Sequence, residues 1–369
     1  MRANVARLDG GGRIPGVDLA RGLAVIGMLA AHLVTTESFS LARSETWTDV
    51  VNGRSSILFA VLAGVSIALT TGATRPIDGA PLSRARGRLA VRAGGLWVLG
   101  ILLILTGVPV YVILPAYAIL FLIAIPLLRL RAATLFVIAA ALLVVMPFVQ
   151  AALGLLPFWH TEAGESIGLV IGWPYPFPLW AGFVVLGLAI GRIDLRDPGV
   201  AALLLVTGGG IALVAYGIGG LLAPPGPVFE PVDVAGIVAS VLPHSGGLPE
   251  VVGGAGFAAA VLGAAVLLCR VRPVLLVLLP LRATGSMPLT AYTAQVAIWA
   301  VWAFAALGTT GDLLAFRELH PFWPITLAVV VGCTLWTVVV GRGPLEAGLG
   351  ALSRRVVRGS PPDARSPRA

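Results

Sequence analysis

The sequence predicts an all-α, polytopic membrane bundle of about ten transmembrane helices, and three observations carry that reading. The chain is 58% hydrophobic and 11% charged, about half the charged fraction of a soluble domain. Ten apolar runs are each long enough to cross the hydrocarbon core of a bilayer. The arginines gather in alternate connecting segments, as the charge rule for cytoplasmic loops requires.

The ten runs are 17–34, 55–72, 93–109, 111–128, 132–153, 177–191, 199–222, 251–269, 286–307 and 322–341. Residues 273–281 are too few to span, and they predict an interfacial or half-helix. Pro109, Pro115, Pro126, Pro147 and Pro280 lie in or beside spans and are expected to kink or end them. With the N-terminus in the cytoplasm, 22 of the 25 arginines fall inside and only Arg43, Arg54 and Arg317 fall outside. Arg2, Arg7 and Arg13 before an apolar run resemble a signal peptide, but Asp18 and Arg21 interrupt the run and no clear cleavage site follows. The run therefore reads as an uncleaved first span, with both termini cytoplasmic. Residues 1–358 read as one domain, and the Pro/Ser/Arg-rich tail 359–369 as disordered.

Composition also excludes chemistry. Every basic residue is arginine, so Schiff-base or general-base chemistry at a lysine is ruled out. The net charge of +8 belongs to the membrane surface, and nucleic acid is not an expected partner. Cys269 and Cys333 both sit in apolar runs and read as core residues. No Cys/His cluster has ligand spacing, so no metal is expected.

The first span carries the candidate chemistry. Ionisable groups inside a membrane are costly and rare, yet this span holds Asp18, Arg21 and His32. On a helix, Arg21 and His32 lie ~20° apart, and Asp18 lies ~40° from His32. The three share one stripe, with about 21 Å of rise from Asp18 to His32. One ionisable patch thus stands near each face of the bilayer. All four histidines and ten of the 17 acids fall at or beyond the outer face. Trp47, Trp159, Trp173 and Tyr175 there are able to stack on a sugar, and an interfacial aromatic belt accounts for them equally well.

Four patches together resemble a known family. They are Asp18-Leu19-Ala20-Arg21-Gly22-Leu23-Ala24, then Asn52-Gly53-Arg54-Ser55 with Leu58 to Ser66, then Met287-Pro288-Leu289-Thr290-Ala291-Tyr292 with Gln295, and Gly343-Pro344-Leu345-Glu346. The chain resembles the heparan-alpha-glucosaminide N-acetyltransferase-like family of the transmembrane acyltransferase superfamily. The superfamily's bacterial sugar O-acyltransferases also open on Asp-x-x-Arg-Gly, and a catalytic histidine ends their first span at the Asp18-to-His32 spacing. That resemblance implies a catalytic role for His32. The heparan-type enzyme instead carries its active histidine in the following outer loop, and residues 35–54 contain none.

The resemblance implies a membrane acyltransferase that takes acetyl-CoA, or another acyl-CoA, from the cytoplasm. The acceptor is expected to be a sugar or amino-sugar on a cell-envelope or lipid-linked glycan. His32 is the expected general base or acyl carrier, against an ordinary interfacial histidine bonded to a carbonyl. Arg21, steadied by Asp18, is expected to grip coenzyme phosphates, against a plain positive-inside anchor. Arg84 and Arg88, in the cation-rich inner loop 73–92, are expected to recruit the coenzyme or to touch anionic lipid. Asn52 and Arg54 are candidates to stabilise an oxyanion, against a helix cap and anchor. His160, His244 and His320 read as solvent-exposed, with His160 in reserve. The arginine-only, Ala/Gly/Val-rich composition fits a bacterial cytoplasmic membrane. The sequence leaves a homodimer open. Two rival readings are a lipid or glycan transporter (or flippase) and a non-catalytic scaffold.

Overall fold

The computed structural model describes residues 8–10, 12–35, 42–222 and 234–357. The tail 359–369 and outer residues 36–41 and 223–233 lie outside them. The chain runs through α1 (Pro15–Leu33), α2 (Arg54–Thr70), α3 (Gly79–Ile104), α4 (Leu114–Ala124), α5 (Ala132–Gly154), α6 (Glu162–Ile171), α7 (Phe177–Ile190) and α8 (Pro198–Leu222). It continues through α9 (Val234–Ala239), α10 (Leu248–Leu268), α11 (Arg272–Val277), α12 (Leu279–Ser286), α13 (Pro288–Leu307), α14 (Leu313–Glu318), α15 (Phe322–Val339) and α16 (Pro344–Val356). Every regular element among the described residues is helical.

Eight of these helices, with α2 lengthened by a 3-10 turn at Ser44–Val51, are long and apolar enough to cross a membrane. The shorter apolar α4 and α7 lie in the other two runs that the sequence reads as spans. The run 273–281 is split between the short helices α11 and α12, as its length requires. α5, α8 and α15 present exposed Val137, Val206, Leu213 and Leu327 outward, as lipid-facing helices do.

α1 is the hub. Along it only Leu23 is exposed, because α2, α10 and α12 pack around it. Small residues permit that closeness: a Cβ on Gly285 would stand 1.7 Å from the Asp18 carbonyl oxygen, and one on Gly22 would stand 2.1 Å from that of Leu281. Backbones meeting this tightly gain dispersion contact that larger residues would forbid.

One segment departs from the sequence reading. Residues 73–92, read as an inner loop, are helical from Gly79 onward and extend α3 well before the apolar run begins. Arg, Ala and Leu are strong helix formers, and Asp78 caps the start by accepting from the Gly79 N–H at 2.8 Å. The arginines of this stretch therefore project around a helix.

α4 is short, and irregular chain precedes it. Between α3 and α4 the chain turns at Gly107, which lies against Thr310. It then descends as non-helical backbone through buried Val108, Val112 and Ile113. Before α7, the last turn of α6 lies against α3: Trp97 Nε1 donates to the Val170 carbonyl at 3.0 Å. Trp97 stands seven residues short of the end of α3, about 10 Å down the helix. Irregular backbone at this depth is tolerated where protein covers it or where it lines a cavity.

Candidate functional site

Ionisable residues divide between two ends of the bundle. At the basic end, Asp18 is buried and takes two arginines at once. Arg13 donates from Nε at 2.9 Å and Nη2 at 3.0 Å, and Arg21 donates from Nη1 at 2.8 Å. Arg21 uses Nη2 to reach Ser66 Oγ at 2.6 Å, which ties α1 to α2. The expected support of Arg21 by Asp18 is thus present, with Arg13 as a second partner.

Arg192 and Arg282 are almost fully buried here. Arg192 donates to the carbonyls of Ala68 (3.2 Å), Thr71 (2.9 Å), Ala73 (3.0 Å) and Leu128, and to Thr71 Oγ1 at 3.0 Å. The Ala73 and Leu128 carbonyls have no backbone donor and are orphan acceptors, whereas those of Ala68 and Thr71 also accept backbone N–H groups. Burial lowers the Arg192 pKa to about 10, which leaves it charged at neutral pH. Arg282 bonds Asp9 and the carbonyls of Leu8 (3.3 Å) and Leu275 (2.9 Å).

Glu346 joins two of the motif patches. Its Oε1 accepts the N–H groups of Leu289 (2.8 Å) and Thr290 (3.1 Å), and its Oε2 accepts Thr290 Oγ1 at 2.5 Å. A carboxylate from α16 therefore caps the start of α13, where orphan donors and the helix dipole favour it.

Between these groups lies a cavity of about 130 Å³. Arg21, Ser66, Arg92 and Glu346 line its polar part. Phe59, Leu62, Leu114, Tyr117, Phe121 and Tyr292 line the rest. An anionic head beside two arginines and a less polar chain beyond them suit that lining.

At the histidine end, a second cavity of about 210 Å³ is bounded by Ala30, Ala31, Val34, Thr48, Asn52 and Arg317. Arg317 donates from Nε (2.9 Å) and Nη2 (2.5 Å) to the carbonyl of His32, satisfying an orphan acceptor in the last turn of α1. The His32 ring has no hydrogen-bond partner among the described residues, and the charged or titratable groups that reach it are His244 and Arg317. His244 sits in the turn before α10 with φ +63°. Buried Glu250 holds that turn by accepting the N–H groups of His244 (2.5 Å) and Gly246 (2.8 Å) and Ser245 Oγ (3.3 Å). The protein packed around His244 lowers its pKa below the usual imidazole value, and its ring meets Tyr175 edge-on at 6.1 Å.

The candidates sort as follows. Asn52 lines the cavity at the histidine end together with Arg317, which bonds the His32 carbonyl, but His32 itself is not part of that lining. Asp18 and Arg21 pair at the basic end. Arg54 stacks over the Tyr216 ring at 4.4 Å and donates to the Asp49 and Val50 carbonyls at 3.4 Å, adjacent to Asn52 but outside the cavity lining. Arg84 and Arg88 are exposed on α3, about two turns and one turn from Arg92, which does line the basic-end cavity. Gln295 donates to the Val25 carbonyl at 3.3 Å, a helix-to-helix bond. Trp159 and Trp173 stack on each other at 4.1 Å. His160, His244 and His320 are all exposed, but His244 also stands beside His32. Arg92 lay in the cation patch of residues 73–92 without being singled out from it, and Arg192 and Tyr117 escaped the sequence reading as site residues. The signal for Tyr117 was a phenol inside an apolar run. No group of three or more metal-ligating side chains occurs among the described residues, and both cysteines are free and buried.

Comparison with known families divides the chain in two. A family model described as heparan-alpha-glucosaminide N-acetyltransferase, catalytic, matches residues 13–215, more than half the chain. A second, described as a protein of unknown function (DUF418), matches residues 227–356. No curated protein matches. Both cavities draw on both segments: Arg21 and Arg92 face Tyr292 and Glu346, and Asn52 faces Arg317. The chain belongs to the heparan-alpha-glucosaminide N-acetyltransferase-like family, a family of transmembrane acyltransferases.

Proposed function

We propose that the protein transfers an acetyl or other acyl group from acyl-CoA, entering at the basic end, to a sugar or amino-sugar acceptor at the histidine end. One observation carries this reading: a single buried helix bears Arg21 in the inner cavity and His32 at its far end. Eleven residues separate them, about 16 Å of rise, a distance suited to an extended phosphopantetheine arm. Arg21 and Arg92 would hold phosphates as paired hydrogen-bond donors, and Arg84 and Arg88 would raise the local concentration of the anionic coenzyme. The basic end faces the cytoplasm, on the arginine distribution, in a bacterial inner membrane.

His32 then takes the proton of the acceptor's hydroxyl or amine as the new bond to the acyl carbon forms. The C–S bond breaks, its electron pair leaves on sulfur, and the imidazolium returns the proton to the thiolate. In the two-step variant the His32 nitrogen first accepts the acyl group and then gives it to the acceptor. Asn52, with the positive field of Arg54 behind it, would stabilise the developing oxyanion. The acceptor is a cell-envelope saccharide or lipid-linked glycan.

The test is consumption of radiolabelled acetyl-CoA by protein reconstituted in liposomes with envelope lipid extract. Label should move to a glycan fraction with wild type and not with His32→Ala; no turnover by wild type would defeat the reading. Acid quenching followed by mass spectrometry of the His32 peptide separates the two chemical routes. A transporter or flippase is the second reading, favoured by α4 and α7, whose N-termini begin inside the membrane as in transporter half-helices. It predicts movement of glycan or lipid across liposomes without loss of acyl-CoA.

A further inference from the structure

The inner cavity holds one buried polar group that the reading above leaves unused. Tyr117, in the first turn of α4, is 2% exposed and lines the cavity. Its hydroxyl has no hydrogen-bond partner among the described residues. A phenol in such a place ordinarily finds one, and an unsatisfied buried hydroxyl is costly. The ring itself is fixed, edge-to-face with Phe59 at 5.6 Å and with Phe121 at 6.3 Å. The hydroxyl is therefore held in a defined place while bonding to none of the described residues.

Its height in the membrane follows from its neighbours. Phe59 and Ser66 both lie on α2 and both line the cavity, seven residues apart, about 10 Å along the helix. Tyr117 packs on Phe59, so it stands that much farther from the basic end than the Arg21–Ser66 pair. Around it the lining is apolar: Leu62, Leu114 and Phe121. The other phenol, Tyr292, accepts the Ile113 N–H at 3.5 Å. A phosphate has no cation at this level, because Arg21 and Arg92 are nearer the basic end. A neutral acceptor of hydrogen bonds is what the site suits.

We infer that Tyr117 donates a hydrogen bond to an amide carbonyl of the pantetheine arm, between the phosphates at Arg21 and the acyl group at His32. This rests on the acyl-CoA reading. An amide drawn into an apolar passage needs such a donor, and the pantetheine arm carries two.

The test is Tyr117→Phe, which removes one oxygen and keeps the ring. Calorimetry on detergent-solubilised protein should show CoA and pantetheine each binding about five- to tenfold more weakly than to wild type. Adenosine 3′,5′-bisphosphate, which lacks the arm, should bind both proteins equally. Without ligand, the variant should melt at the same temperature or higher, since an unsatisfied hydroxyl has gone. Equal CoA affinity in both proteins would overturn the inference and leave the acyl-CoA reading standing. A drop in ligand-free melting temperature would also overturn it, by showing that the hydroxyl already serves the fold. If wild type bound neither CoA nor pantetheine, both readings would fall together.

Discussion

At the basic end the buried charged side chains are tied down, whereas at the histidine end neither His32 nor His244 makes a hydrogen bond through its ring among the described residues. Asp18 takes two arginines, Arg192 serves five acceptors, and Glu346 caps α13. Only 14% of the Arg21 side chain is exposed, so the cavity meets a cation already oriented by Asp18 and Ser66. At the other end the bonds run through backbone instead: Arg317 fixes the His32 carbonyl, and Glu250 fixes the His244 turn. The supports are rigid and the imidazoles are left available. A pre-oriented anchor at one end and free proton-accepting groups at the other are what a transfer across the bundle requires.

That contrast can be broken at either end. The largest expected effect is at His32, where substitution by alanine should lower the initial rate of acyl transfer about 10²- to 10⁴-fold with little change in CoA affinity. Next comes Arg192→Leu, which leaves the Ala73 and Leu128 carbonyls without a donor. Denaturation in detergent should show a loss of about 3 kcal/mol, and the same measurement on Arg317→Leu should show less, because a single carbonyl is stranded there. Arg92→Gln should raise KM for acetyl-CoA about tenfold by removing one charge-assisted contact, and should leave KM for acetyl-pantetheine unchanged. The smallest effect belongs to the double substitution Arg84→Gln and Arg88→Gln. It should shift the acetyl-CoA KM by less than about twofold at physiological salt and by more at low salt, where screening is weak. A larger loss there than at Arg92 would mean that the coenzyme docks on the exposed face of α3.

The spans were legible because length and hydropathy alone define them. The boundaries of α1, α5, α7 and α8 fall within two residues of the sequence reading. The pairing of Asp18 with Arg21 was legible too, since neighbours three apart on a helix meet. Choosing among Arg84, Arg88 and Arg92 was not. Each step of four residues turns the stripe by about 40°, and which member faces inward depends on α16, more than 250 residues away in sequence. Arg192 looked like one more cytoplasmic anchor, and only the fold brings the ends of α2 and α4 to it. His244 met His32 through tertiary packing across some 200 residues, a relation no local pattern encodes. The link between Thr290 and Glu346 explains why two motif patches far apart in the chain belong to one site.

The central claim is that one ligand spans from Arg21 to His32, and a cryo-electron microscopy structure with a non-hydrolysable acetyl-CoA analogue tests it most directly. The account predicts phosphate density within hydrogen-bond distance of Arg21 and Arg92, an arm passing Tyr117, and the acyl mimic beside the His32 ring. Nucleotide density at the Arg317 cavity, or an arm that turns away from His32 into lipid, would contradict it.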